Sequence, residues 1–296
     1  MIEEVELVLE AKRAELPGGL FVKRAIPQRQ RRIVGPFVFV DQMGPADFPP
    51  EGGADVLSHP HIGLSTLTWL FSGEGLHKDS LGYVQPLLPG EVNWMTAGKG
   101  IVHAEFMRGG AEQKLYGVQT WVALPREDEE CEPSFEHYGA EAVPVLEEEG
   151  VRMKLIAGEL FGARSQVRVS SPLFYVEARM DAGSRLSLPA EYEERALYLV
   201  EGSVALRDSK LAPGEMAFFR PGPEILIEAE VPSLLLLLGG EPLDGPRHIS
   251  WNFVSSSRDR LVQAAEDWRN QRFPRIPGEK AYIPLPRDGS EPGNYP

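Results

Sequence analysis

Leu88-Pro89-Gly90-Glu91-Val92-Asn93-Trp94-Met95-Thr96-Ala97-Gly98 and Ala212-Pro213-Gly214-Glu215-Met216-Ala217-Phe218-Phe219-Arg220-Pro221-Gly222 are two versions of one pattern. Each places a Pro-Gly-Glu turn before a short apolar run that ends at a second glycine. The two stay in step, 124 residues apart, from the proline to the final glycine. Upstream, Trp69-Leu70-Phe71-Ser72-Gly73 matches Tyr198-Leu199-Val200-Glu201-Gly202 at an offset of 129, so the second copy has a loop five residues shorter. Two blocks in the same order indicate a duplicated β-domain. The rest of the chain supports this. Phe37–Val40, Leu64–Phe71, Val118–Leu124, Val167–Val169, Leu173–Ala178, Ala196–Val200 and Leu234–Leu238 read as short strands between Gly and Pro turns. Such spacing predicts an all-β sandwich or barrel, here in two tandem copies.

A length of 296 residues fits one large or two ordinary domains. With 30 Gly and 26 Pro, the chain suits turn-linked strands better than a helical bundle. From Arg126 to Glu149 there are ten acidic residues and one basic. This stretch reads as a solvated linker and divides the chain into an N-terminal domain over 1–130 and a C-terminal one over 145–296. Behind the latter, Ser257 is placed to cap a helix over Arg258–Trp268. Leu261, Ala264, Ala265 and Trp268 fall on one of its faces. From Phe273 to Pro296 the chain reads as irregular and surface-bound.

A net charge of −14 repels phosphate backbones and argues against direct nucleic-acid binding. One cysteine, Cys131, excludes an internal disulfide framework and all-cysteine metal sites. The acidic start lacks a signal-peptide pattern, and the longest aliphatic run, Leu234–Leu238, is too short to span a bilayer. The expectation is a cytoplasmic protein with no membrane association.

Of six histidines, three lie in two short motifs, His59-Pro60-His61 and His103-Ala104-Glu105. Residues i and i+2 of a strand share a face. If the two strands face each other across a barrel, three imidazoles and one carboxylate converge on one point. That set suits a first-row divalent metal with positions left for water or substrate. A closed structural zinc site differs from it only in geometry. His77 reads as a group supporting the ligands, a substrate hydrogen-bonding group or a loop histidine, with Asp79 placed to orient a histidine. Applying the repeat, His103 and Glu105 fall on Ile227 and Ala229, and His59 and His61 on Leu188 and Ala190. The second domain therefore keeps the scaffold without the ligands, which predicts one metal per chain.

His59-Pro60-His61-Ile62-Gly63, His77-Lys78-Asp79-Ser80-Leu81-Gly82 and the run from Pro89 to Glu105 resemble the pirin family of the cupin superfamily. Val34-Gly35-Pro36-Phe37, with Asp41, Met43, Gly44 and Pro45, resembles that family's N-terminal signature. The resemblance implies two tandem cupin barrels and a C-terminal helix. It implies iron in the first barrel, held by His59, His61, His103 and Glu105. The ligand set itself also tolerates copper, zinc, nickel, manganese or cobalt. Cupins commonly carry a glutamate four residues after the H-x-H, where Ser65 stands here, so the carboxylate falls to Glu105.

The resemblance implies a dioxygenase acting on flavonols such as quercetin, with a flavonol-like aromatic substrate and dioxygen as partners. Glu105 would then double as catalytic base. The alternative it implies is a metal-responsive protein-interaction or transcription-cofactor module without catalysis, with a protein partner the sequence does not specify.

Overall fold

A computed structural model of the chain describes residues 4–16, 19–49 and 52–286. Among the described residues it forms twenty-five strands, two short 3-10 helices and one α-helix, Arg258–Arg269. Each half of the chain builds a two-sheet barrel, as the repeat predicts. In the first, a seven-stranded sheet centred on Leu64–Ser72, Lys114–Ala123 and Phe37–Asp47 faces a four-stranded sheet. The order of the smaller sheet is Gly53–His61, Ile101–Arg108, Glu74–Asp79, Val84–Leu87. The second barrel repeats this small sheet as Arg185–Leu188, Ile225–Ala229, Val204–Leu206, Ser209–Leu211. All the pairings are antiparallel and let one face of each strand fill a barrel.

The large sheets of the two barrels share one apolar cluster, to which Trp69, Val118 and Val40 contribute from the first and Tyr175, Tyr198 and Leu236 from the second. Polar groups within it are paired across the divide. Trp69 Nε1 donates to Glu177 Oε2 at 2.6 Å, Tyr198 Oη to Gln42 Oε1 at 2.7 Å, and the Thr120 and Tyr175 hydroxyls meet at 3.1 Å. Buried polar atoms without partners would cost about 1–3 kcal/mol each, so these bonds fix how the barrels dock.

Both chain ends cross the division drawn from the sequence. Val5–Glu10 adds an edge strand to the second barrel beside Glu215–Phe219. The helix Arg258–Arg269 returns to the first barrel. Its buried face, Leu261, Ala264, Ala265 and Trp268, packs with Ile62, Val102 and Ala104. Ser257 caps it as expected, its side chain accepting from Arg260 N.

The acidic stretch is not a plain solvated linker. Ser134–Tyr138 joins the first barrel's large sheet, and Val145–Glu148 joins the second's. Glu129 is buried, and its Oε1 takes Arg247 Nε at 2.7 Å and Ser256 N at 2.8 Å. Its Oε2 accepts from the hydroxyls of Ser255 and Ser256. A composition window averages such a residue with its exposed neighbours and misses it. Val167–Val169 is also not a strand. The Ser165 hydroxyl binds Ile156 O and Val167 N there, a local turn that competes with sheet pairing.

The Arg247 side chain is wholly buried alongside Glu129. Glu129→Ala should therefore destabilise the protein by about 3 kcal/mol, because it leaves a buried guanidinium short of its partner. The denaturant midpoint should fall, and an unchanged midpoint would show that Glu129 does not hold the C-terminal segment.

Candidate metal centre

Strand alternation sorts Ile101–Arg108 into two faces. Val102 and Ala104 lie under the helix, while His103 and Glu105 point into the barrel. Within the small sheet His103 sits opposite His59 on one side and Asp79 on the other, and Glu105 sits opposite His77. Between His103 and Glu105 the register slips, with Leu57 and Ser58 opposing Ala104 alone. The extra residue is a β-bulge, which locally re-aims the strand beside the site. Gly63 adopts φ +66° and lies where a Cβ would be 2.0 Å from Val254 O. Only glycine lets the C-terminal strand Phe253–Ser255 come this close behind the two histidines.

One ring nitrogen each from His59, His61 and His103 fall within 4.8 Å of one another. His59 Nδ1 meets Leu57 O at 2.8 Å, and His61 Nδ1 meets Asn252 O at 3.0 Å. A carbonyl only accepts, so both Nδ1 atoms carry the proton and both Nε2 lone pairs are left for a ligand. His103 is buried with neither ring nitrogen hydrogen-bonded. Burial pushes His61 and His103 well below the usual histidine range and lowers His59 as well. Three neutral, buried imidazoles with converging lone pairs fit a single divalent cation.

Glu105 is buried beside His59 but lies outside the group of three. Its negative charge acts on His59, opposing the effect of burial. Thr68 Oγ1 donates to its Oε1 at 2.8 Å and Gln119 Nε2 to its Oε2 at 2.7 Å. Thr68 and Gln119 are cross-strand neighbours on the large sheet and reach across the barrel. Neither carries a sequence signal, because each belongs to a different strand from the glutamate. Nor does the Asn252 carbonyl, a backbone group that any residue would supply.

His77 is buried and is not a loop histidine. Its Nε2 lies 3.0 Å from Asp79 Oδ2, and its ring stacks on Phe135 at 4.4 Å. The ring is 5.4 Å from that of His103 and outside the group of three. Asp79 also accepts from the backbone of Leu81 and Tyr83, which fixes its carboxylate. Ser65 hydrogen-bonds Thr96.

Beside His59 opens a cavity of about 280 Å³, which Phe39, Trp121 and Trp251 help to line. Phe39 and Trp121 stack at 4.1 Å, and Trp121 meets His61 edge-on at 5.1 Å.

The repeat shows what the second barrel lacks. Leu186 pairs with Ile227 as His59 pairs with His103, and Leu188 pairs with Ile225 as His61 pairs with Ile101. The positions equivalent to His59 and His61 are therefore Leu186 and Leu188. The fixed offset of 129 had placed them on Leu188 and Ala190, because it ignores a second, two-residue length change. Val204, paired with Ala229, stands where His77 pairs with Glu105. All five substitutes lie in the second barrel's apolar core.

Residues 19–122 match the family Pirin, and residues 175–274 match the Pirin C-terminal cupin domain. The chain belongs to the pirin family. It is 50% identical to a pirin-like protein of Caulobacter vibrioides over 95% of this chain and 99% of that one. It is 30% identical to human pirin over 86% and 88% of the two chains. The crystal structure of a quercetin 2,3-dioxygenase from Acinetobacter baumannii superposes with a TM-score of 0.87 at 35% identity, covering 97% of both chains. The architecture is thus a pair of cupin barrels. No described helix is long and apolar enough to cross a membrane.

His59→Ala, His61→Ala and His103→Ala should each sharply lower metal content from a wild-type value of one per chain, whereas His77→Ala should leave it largely intact. Elemental analysis of each purified variant checks this, and two tight metals per wild-type chain would contradict the apolar second barrel. In the metal-free protein, the buried imidazoles resist protonation that the unfolded chain accepts near pH 6.5. Stability should therefore fall as pH drops below that value, and fall less in His103→Ala. Thermal melts in chelator across pH 5–8 measure the slope.

Proposed function

We propose that this chain is an iron-dependent dioxygenase that opens flavonols such as quercetin, with His59, His61, His103 and Glu105 holding the metal. The observation that carries the reading is His103, buried with two unpaired nitrogens beside two histidines whose Nε2 atoms are free. Such a group is costly unless a cation meets it. The similarity to a quercetin 2,3-dioxygenase structure supports the choice of reaction. Iron, when bound, supplies a Lewis acid for a phenolic oxygen and redox exchange with dioxygen.

The residues do the rest. The stacked Phe39–Trp121 pair gives the cavity an aromatic wall suited to a flat ring system. Glu105 takes the proton of the flavonol hydroxyl. Thr68 and Gln119 hold its two oxygens, so the carboxylate meets the substrate in one orientation. Asp79 fixes His77 against the ring of His103 and so stiffens that side of the site. The single cysteine suits a reducing cytoplasm.

Glu105→Gln keeps the side chain's size and one carbonyl oxygen but loses its basicity. Flavonol consumption per bound iron should fall by about 10²–10⁴-fold, the usual contribution of a general base, while metal content falls far less. An unchanged normalised rate would make Glu105 a ligand only. If the iron-loaded wild type consumes no flavonol, the dioxygenase reading fails and a metal-responsive binding module takes its place.

A further inference from the structure

The cavity beside His59 is bordered on one side by a part of the chain that belongs to neither barrel. Tyr282 forms a parallel bridge with Ser58, and Ile283 N donates to Ser58 O at 2.9 Å, one residue from His59. Trp268 Nε1 donates to Ile283 O at 3.0 Å, and the Trp268 ring meets that of Tyr282 edge-on at 5.6 Å. Upstream, Glu279 pairs with Lys78 at 2.7 Å. These ties come from the metal-bearing sheet and from the helix behind it, and they hold the segment as a strap. Ile283 and Pro286 line the cavity together with His59, Gln119 and Trp121. The strap lies outside both stretches that match the family, 19–122 and 175–274, whereas the histidines and the aromatic wall lie within them.

This division separates two tasks. The matched residues carry the chemistry and the flat wall. The strap adds an apolar wall next to the metal site. The cavity volume of about 280 Å³ is just below the range for small-molecule sites, roughly 300–1,000 Å³. On the side walled by Ile283 and Pro286, little room remains for bulky substituents.

We propose that Ile283 and Pro286 are the specificity-determining wall of the substrate site. They restrict it to compact, flat phenolic compounds and exclude the same ring system carrying a sugar. Resting on the flavonol reading above, this means that the substrate is the free flavonol, and that a glycoside must first lose its sugar in a hydrolytic step.

The test uses full-length protein loaded with zinc, which binds without turnover, and follows quenching of the cavity tryptophans. The ligands are a flavonol and its 7-O-glucoside, in which the 3-hydroxyl stays free. The wild type should bind the free flavonol at least about tenfold more tightly, and Ile283→Ala should narrow that gap to about threefold or less. Ile283→Trp should weaken flavonol binding by about tenfold or more through overfilling, with zinc content unchanged. Should that variant fail to fold, Pro286→Trp at an exposed position should give the same block. An unchanged gap in Ile283→Ala, or normal binding in the tryptophan variants, overturns the proposal.

If the wild type binds neither ligand, the flavonol reading fails, and the strap is judged without it. Zinc removal by pyridine-2,6-dicarboxylate, a flat aromatic chelator, should then be several-fold faster in Ile283→Ala than in the wild type. Equal rates would sink the strap on its own.

Discussion

A buried polar nitrogen without a hydrogen bond costs about 1–3 kcal/mol, and His103 carries two. The surroundings of this imidazole are organised accordingly. His59 and His61 present Nε2 lone pairs because backbone carbonyls hold their Nδ1 protons. Glu105 lies beside His59 and is anchored by Thr68 and Gln119 from the opposite sheet. Burial keeps the histidines neutral, the form in which imidazole binds a metal. The site is thus a local concentration of unmet donors inside a barrel that would otherwise fill with aliphatic side chains.

The second barrel shows that alternative. With nearly the same strands in the same order, it places Leu186, Leu188, Ile227, Ala229 and Val204 where the first has its polar group. An apolar interior needs no cation and gains from each buried side chain. It also supplies a firm partner for the first barrel's large sheet. Thr120 touches Tyr175 of the second barrel, while its strand neighbours Gln119 and Trp121 line the cavity beside His59. Alternation along one strand therefore joins the domain interface to the site.

Much of this was legible in the sequence. The repeated Pro-Gly-Glu blocks predicted two β-domains, because turn chemistry and strand alternation are local. The Ser257 cap and the apolar face of the following helix were legible for the same reason. The H-x-H motif and His103 predicted a converging group of three histidines because spacing alone sets which side chains share a strand face. Less local features were not legible. Val167–Val169 is apolar enough for a strand but is diverted by the Ser165 hydroxyl. Glu129 sits in an acidic run that looks solvated, yet is buried against Arg247, which lies far along the chain.

By itself, then, the sequence determined the duplicated β-architecture, the C-terminal helix and the residues able to bind a metal. These depend on periodicity, turn residues and side-chain chemistry over a few positions. Tertiary structure alone decided what surrounds those residues. It set the bulge that aims His59, the Asn252 carbonyl that fixes the His61 tautomer and the two donors that hold Glu105. It also brought a C-terminal segment, more than two hundred residues from His59, back to wall one side of the cavity. Each of these is a contact between segments distant in sequence, many through backbone groups that every residue carries. No local pattern marks such groups before the chain has folded.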